Sequence, residues 1–161
     1  DGYMKIIGMD AGTGRLGVGV IEVAKGNKVR FITGGVITTP AHTSLPIRLE
    51  DIYDSLHEII DETKPDVMSI EKLFFAQNIT TAISVSHARG VAMLVGQQCH
   101  LEIAEYTPLQ IKQTLTGYGR ADKKQMQEMV RLHLGLKEIP KPDDAADALA
   151  AAITHSLMSR V

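Results

Sequence analysis

Between positions 5 and 38 the chain alternates apolar and small residues and is rich in Val and Ile, which predicts three strands at 5–10, 17–23 and 28–38. Gly12-Thr13-Gly14-Arg15 and Lys25-Gly26-Asn27 read as turns between them. Connections this short imply antiparallel neighbours. The period then changes. Ile47, Leu49, Ile52, Leu56, Ile59 and Ile60 stand at helical spacing between Pro46 and Lys64, and Lys64-Pro65 stops that helix. A fourth strand follows over 66–71, a long helix with small residues over 78–99, and a fifth strand over 102–106. Pro108 opens another helix, Asp122 is a candidate N-cap for one reaching Leu134, and Pro140-Lys141-Pro142 leads into an Ala-rich final helix. This order predicts an α/β protein: a mixed five-stranded sheet with helices on both faces.

Composition narrows the picture without deciding function. Hydrophobic residues at 44% and charged residues at 22% describe an ordinary globular domain, and no apolar run approaches the ~20 residues of a membrane span. One domain is expected, with no secretory leader; Asp1-Gly2-Tyr3 before Met4 reads as an appended remnant and 159–161 as a tail. The single Cys99 cannot form an internal disulfide, and in its apolar surroundings it reads as a buried thiol of a reducing cytosol. Net charge is −2, yet the stretch from Lys112 to Lys141 is locally basic, through residues such as Lys112, Arg120 and Lys123. A solvated helix face would explain that equally well.

Four acids change the picture. Asp10 ends the first strand and Glu71 the fourth, while Asp144 and Asp147 open the final helix, three residues apart and so on one face. Each has a plainer reading alone: a turn former at Asp10, a solvated strand end at Glu71, an N-cap at Asp144. Asp147 is poorly explained by capping. The small apolar stripe of Ala146, Leu149, Ala150 and Ile153 lets the helix lie close to the sheet and direct its acids toward Asp10. Carboxylates without a histidine motif suit Mg²⁺ or Mn²⁺, and a pair of ions about 4 Å apart would serve phosphodiester hydrolysis, with Asp10 as the bridging ligand. Phe74 and Phe75 follow Glu71 in an expected surface loop, where one could stack on a base or both could plug the core.

At these residues the chain resembles the RuvC family of bacterial Holliday-junction resolvases, of the ribonuclease H-like superfamily. The likeness runs from Met4 to about His155. Gly8-Met9-Asp10-Ala11-Gly12 is similar to the family's first-acid motif and Ile70-Glu71-Lys72-Leu73-Phe74-Phe75-Ala76-Gln77-Asn78 to its second. The segments from Ala104 to Gln113 and from Gly117 to Lys123 resemble its DNA-facing part, and Asp144-Ala145-Ala146-Asp147-Ala148-Leu149-Ala150 its terminal acid helix. The resemblance implies a single ribonuclease H-like nuclease domain over 4–158, with Asp10, Glu71, Asp144 and Asp147 as catalytic metal ligands for two Mg²⁺, replaceable by Mn²⁺. It further implies DNA contacts by Phe74, Lys112, Arg120 and Lys123, and a cytoplasmic homodimer that nicks opposed strands of a four-way junction in recombination and repair beside a RuvA–RuvB branch-migration complex.

Two departures are visible. Ala11 stands where the family often has Pro, and Asp143 beside Asp144 offers two registers, of which spacing to Asp147 and the family pattern favour Asp144. The helix at 78–99 is the candidate dimer interface, the alternative being a wholly buried core helix. Three other functions fit parts of the pattern. An actin-like ATPase shares the Asp10-Ala11-Gly12-Thr13-Gly14 loop but needs two domains; a silent junction binder and a related nuclease acting on another nucleic acid share most of the rest.

Overall fold

A computed structural model describes residues 3–72 and 79–159. Five strands, β1 (Met4–Gly12), β2 (Arg15–Ala24), β3 (Lys28–Thr38), β4 (Val67–Glu71) and β5 (Glu102–Tyr106), form one sheet in the order β3-β2-β1-β4-β5. β1 to β3 are antiparallel; β4 and β5 run parallel to β1. The five helices are α1 (Leu45–Thr63), α2 (Ile79–Gln98), α3 (Pro108–Thr116), α4 (Lys123–Leu134) and α5 (Asp143–Met158). The predicted mixed sheet and its element order are therefore observed.

The first hairpin turns at the expected four residues, Gly12 to Arg15. Gly12 pairs with Arg15, leaving only Thr13 and Gly14 to reverse the chain, and Gly14 does so at φ 66°, a conformation free of strain for glycine. Helix boundaries follow local chemistry. Asp122 accepts from the Gln125 amide while the Gln125 side chain accepts from the Asp122 amide, and Thr107 and Gln110 repeat that capping box on α3.

Strand alternation sends side chains to two different layers. Ile7, Met9, Leu16, Val18, Val20, Met68 and Ile70 pack with α1 and α2 on one face. On the other, Ile6, Ile21 and Val67 pack with α5, and α3 and α4 lie outside it. The Ser69 hydroxyl donates to the Ala151 carbonyl at 2.6 Å, tying β4 to α5.

Helix α5 approaches the sheet at backbone distance. A methyl group built on Gly8 would lie 1.8 Å from the Ala148 carbonyl oxygen, and one on Gly17 2.2 Å from that of Asp144. No side chain fits there. One expectation needs correction. Cys99 lies just beyond α2 and is only partly buried, its sulfur 3.6 Å from His57 Nδ1, because it follows the last turn of α2 and packs at the rim of the core rather than within it. Of the two readings of α2, the wholly buried core helix is excluded, since Ile79, Ile83 and Leu94 are exposed.

Candidate metal and nucleic-acid site

The α5-facing side of the sheet carries the acids. Asp10 pairs with Gly17 across β1 and β2, so its side chain shares the face of Gly8; Glu71 shares that of Ser69. Gly17 touches Asp144 itself, so the close approach that excludes a side chain there also brings the start of α5 to the end of β1. Asp10 and Asp147 are hydrogen bonded. Asp144 turns the other way, with Arg15 donating to its Oδ1 at 2.9 Å.

Electrostatics set these carboxyls apart. Burial first, then the neighbouring charges of Asp147, Glu71 and Asp144, push the Asp10 carboxyl from 3.8 up to about 8. Burial also raises Glu71, with Asp147 adding and Lys112 opposing; burial raises Asp147, with Lys123 opposing. Near neutral pH Asp10 therefore keeps a proton and donates it to Asp147. Among the described residues no ion pair engages Asp10, Glu71 or Asp147. The site is short of positive charge.

A cation of the hard, oxygen-preferring type fits that deficit. The donors are carboxylate oxygens alone, which suits a divalent ion such as Mg²⁺ better than zinc or copper. As the side chains stand, no three acidic, histidine or cysteine groups among the described residues are gathered closely enough to hold one ion. Asp144 is meanwhile engaged by Arg15.

Other predicted residues separate in the same frame. Lys112 and Lys123 stand on the wall of a cleft of about 330 Å³ whose floor includes Glu71 and Asp147. A second cavity of about 230 Å³, lined by Asp10, Glu71 and Arg89, opens on the other side of Glu71. A larger cavity, about 540 Å³ beside Tyr118 and Met129, lies next door and shares Ala121 and Asp122 with the acid cleft. Arg120 is exposed on the connection between α3 and α4 and is not part of the cleft wall. Phe74 and Phe75 lie outside the described residues. Asp143 is salt-bridged to Lys123 at 3.0 Å and accepts from Gln127, so it faces α4 while Asp144 faces β2.

Sequence reasoning missed four contributors. Gly8 and Gly17 were legible only as small residues within strands, although the alternation of Gly17 and Gly19 along β2 was a signal that a backbone must come close. Arg15 looked like a turn residue. Arg89, inside α2, carried no signal that it would reach the end of β4.

The crossover junction endodeoxyribonuclease RuvC family model matches residues 6–155. The crossover junction endodeoxyribonuclease RuvC of Desulfitobacterium hafniense strain DCB-2 is 54% identical over 153 residues, covering 95% of this chain and 92% of the relative. The structure of Thermus thermophilus RuvC in complex with a Holliday junction substrate superposes with a TM-score of 0.92 at 34% identity, covering 98% of this chain and 95% of that one. The yeast mitochondrial Holliday junction resolvase Ydc2, at 12% identity and TM-score 0.69 over 95% of this chain and 78% of its own, shares the fold.

Proposed function

The chain belongs to the RuvC family of crossover junction endodeoxyribonucleases, and from that premise we propose that it resolves four-way DNA junctions at the site formed by Asp10, Glu71, Asp144 and Asp147. The observation that carries this reading is that Asp10, Glu71 and Asp147 lie near enough to act on one another's charge, beside a cleft that Glu71 and Asp147 line with Lys112 and Lys123. Acids alone would repel a phosphodiester backbone. Acids that take up divalent cations, beside lysines that meet phosphates, accept one.

In this reading Asp10, Glu71, Asp144 and Asp147 would hold two Mg²⁺, or Mn²⁺ in its place. Such ions lower the pKa of an attacking water and neutralise charge on the departing 3′ oxygen. The protein's own residues do the rest. Asp10 must first lose the proton it shares with Asp147. Lys112, whose charge already acts on Glu71, and Lys123 hold the backbone in line with the attacking oxygen. The new bond joins water oxygen to phosphorus, the phosphorus–O3′ bond breaks, and the products are a 5′-phosphate and a 3′-hydroxyl. Phe74 stacks on a base at the branch point and Arg120 meets an outlying phosphate.

Symmetric nicking requires two such sites, which the reading assigns to a homodimer built on α2. Ile79, Ile83 and Leu94 fall on one exposed stripe of that helix with Gly90, at which an added methyl group would meet nothing within 4 Å. A second copy can approach there closely. The test offers the protein a synthetic four-way junction and a linear duplex of the same sequence, each with Mg²⁺ and with EDTA. Paired nicks confined to the junction with Mg²⁺ are expected; equal cutting of the duplex, or cutting in EDTA, would refute the reading.

A further inference from the structure

Glu71 is the last residue of β4, and beyond Lys72 the chain leaves the sheet. A side chain at a strand end is aimed by the peptide that follows it, because rotation of that peptide swings the whole residue. The Glu71–Lys72 peptide is held on both edges. Its N–H, on Lys72, donates to the Tyr106 carbonyl at 2.7 Å, and its carbonyl accepts from Arg89 Nε at 3.2 Å. The first contact continues the sheet; the second comes from the middle of α2.

Arg89 is itself fixed on its other two edges. One terminal nitrogen is 3.4 Å from the Met93 sulfur, and the other donates to Glu105 Oε2 on β5. The side chain is 16% exposed and lines the cavity that also contains Asp10 and Glu71. Its charge is matched by Glu105, while the cation acting on the Glu71 carboxylate is Lys112. Arg89 is thus spent on geometry. A planar fork can reach a carbonyl, a sulfur and a carboxylate at once, which a lysine ammonium on its flexible stem cannot.

We propose that Arg89 is a positioning residue: braced by Glu105, it pins the Glu71–Lys72 peptide and so aims the Glu71 carboxylate into the acid site. The inference rests on the assignment of Glu71 to that site. It assigns Arg89 no contact with DNA and no part in proton transfer.

The test measures Mn²⁺ affinity of the full chain by electron paramagnetic resonance, with junction binding in EDTA and thermal melting as controls. Outer partners of a ligand typically change metal affinity by roughly 10- to 100-fold, and Arg89→Met is expected at the lower end of that range. Arg89→Lys should recover little, and Glu105→Gln, which keeps an acceptor and removes the charge, should be intermediate. Junction affinity should stay at the parental value. In a Glu71→Ala background, Arg89→Met should change Mn²⁺ affinity hardly at all, because there is no carboxylate left to aim. A general structural fault would weaken binding equally in both backgrounds, and that result, or parental Mn²⁺ affinity in Arg89→Met, would overturn the role of Arg89 alone. Parental Mn²⁺ affinity in Asp10→Asn would instead overturn the acid site and this inference with it.

Discussion

The two faces of the sheet are built on opposite plans. Toward α1 and α2 the strands present Ile7, Met9, Leu16, Val18, Met68 and Ile70, and large side chains fill the space between layers. Toward α5, at the acid end, they present Gly8, Gly17, Gly19 and Ser69, and at Gly8 and Gly17 backbone meets backbone. A layer of bulky side chains tolerates exchange among shapes of similar volume. A glycine contact tolerates no added atom, but it places a helix start within reach of strand ends, which is what four acids on three elements require. Close approach here serves chemistry more than cohesion.

The largest way to break this comparison is to add atoms to the glycine face. Gly17→Val should cost more than about 3 kcal/mol in denaturant unfolding, because its side chain would overlap the Asp144 carbonyl. Met9→Leu, on the other face, should cost less than about 1.5 kcal/mol and keep its nuclease activity. Similar costs at the two positions would erase the distinction.

A second test uses the charge stored on the α5 side. Asp10 ionises at 3.8 in an ordinary setting and at about 8 here. Between those values the unfolded chain has released a proton that the folded chain retains. Its stabilising contribution is therefore complete below pH about 4 and is lost as pH rises toward about 8. Asp10→Asn has no such titration. In EDTA at pH 8 it should melt about 5 °C or more above the parent, with the gap closing toward pH 4. Mg²⁺ should raise the parent and leave the variant unmoved. A gap independent of pH would mean that Asp10 is not held protonated by its neighbours.

The smallest expected effect concerns lysines. Lys123→Ala should lower the slope of log junction affinity against log salt by about one, as one phosphate contact disappears, and Lys112→Ala should do the same. Lys25→Ala, exposed at the far hairpin, should leave the slope unchanged. Equal changes at all three would show that net charge, rather than the cleft wall, sets binding.

Much of this was readable from residues alone, and the failures have physical reasons. Strand alternation and helical spacing located every described element within a few residues, because each strand buries one or both faces and each helix a stripe. Asp10, Glu71, Asp144 and Asp147 stood out as acids at element ends. Gly8 and Gly17 did not stand out, since a small residue shows its purpose only when the element packed against it is known. Arg89 was hidden for a related reason. Its partners Glu71 and Glu105 lie 18 and 16 positions away along the chain, on two different strands. The choice between Asp143 and Asp144 is likewise tertiary: one turns to Lys123 on α4 and the other to Arg15 on β2.

The central claim is that the acids on the glycine face act as one cation-dependent cutting site, separable from the surface that holds DNA. Asp10→Asn tests it most directly when nicking of a four-way junction with Mg²⁺ and binding of that junction in EDTA are measured on the same preparation. Nicking should fall by more than about 100-fold, beyond what loss of an outer partner produces, while binding stays within about twofold. Nicking at the parental rate, or loss of binding in step with it, would contradict the claim.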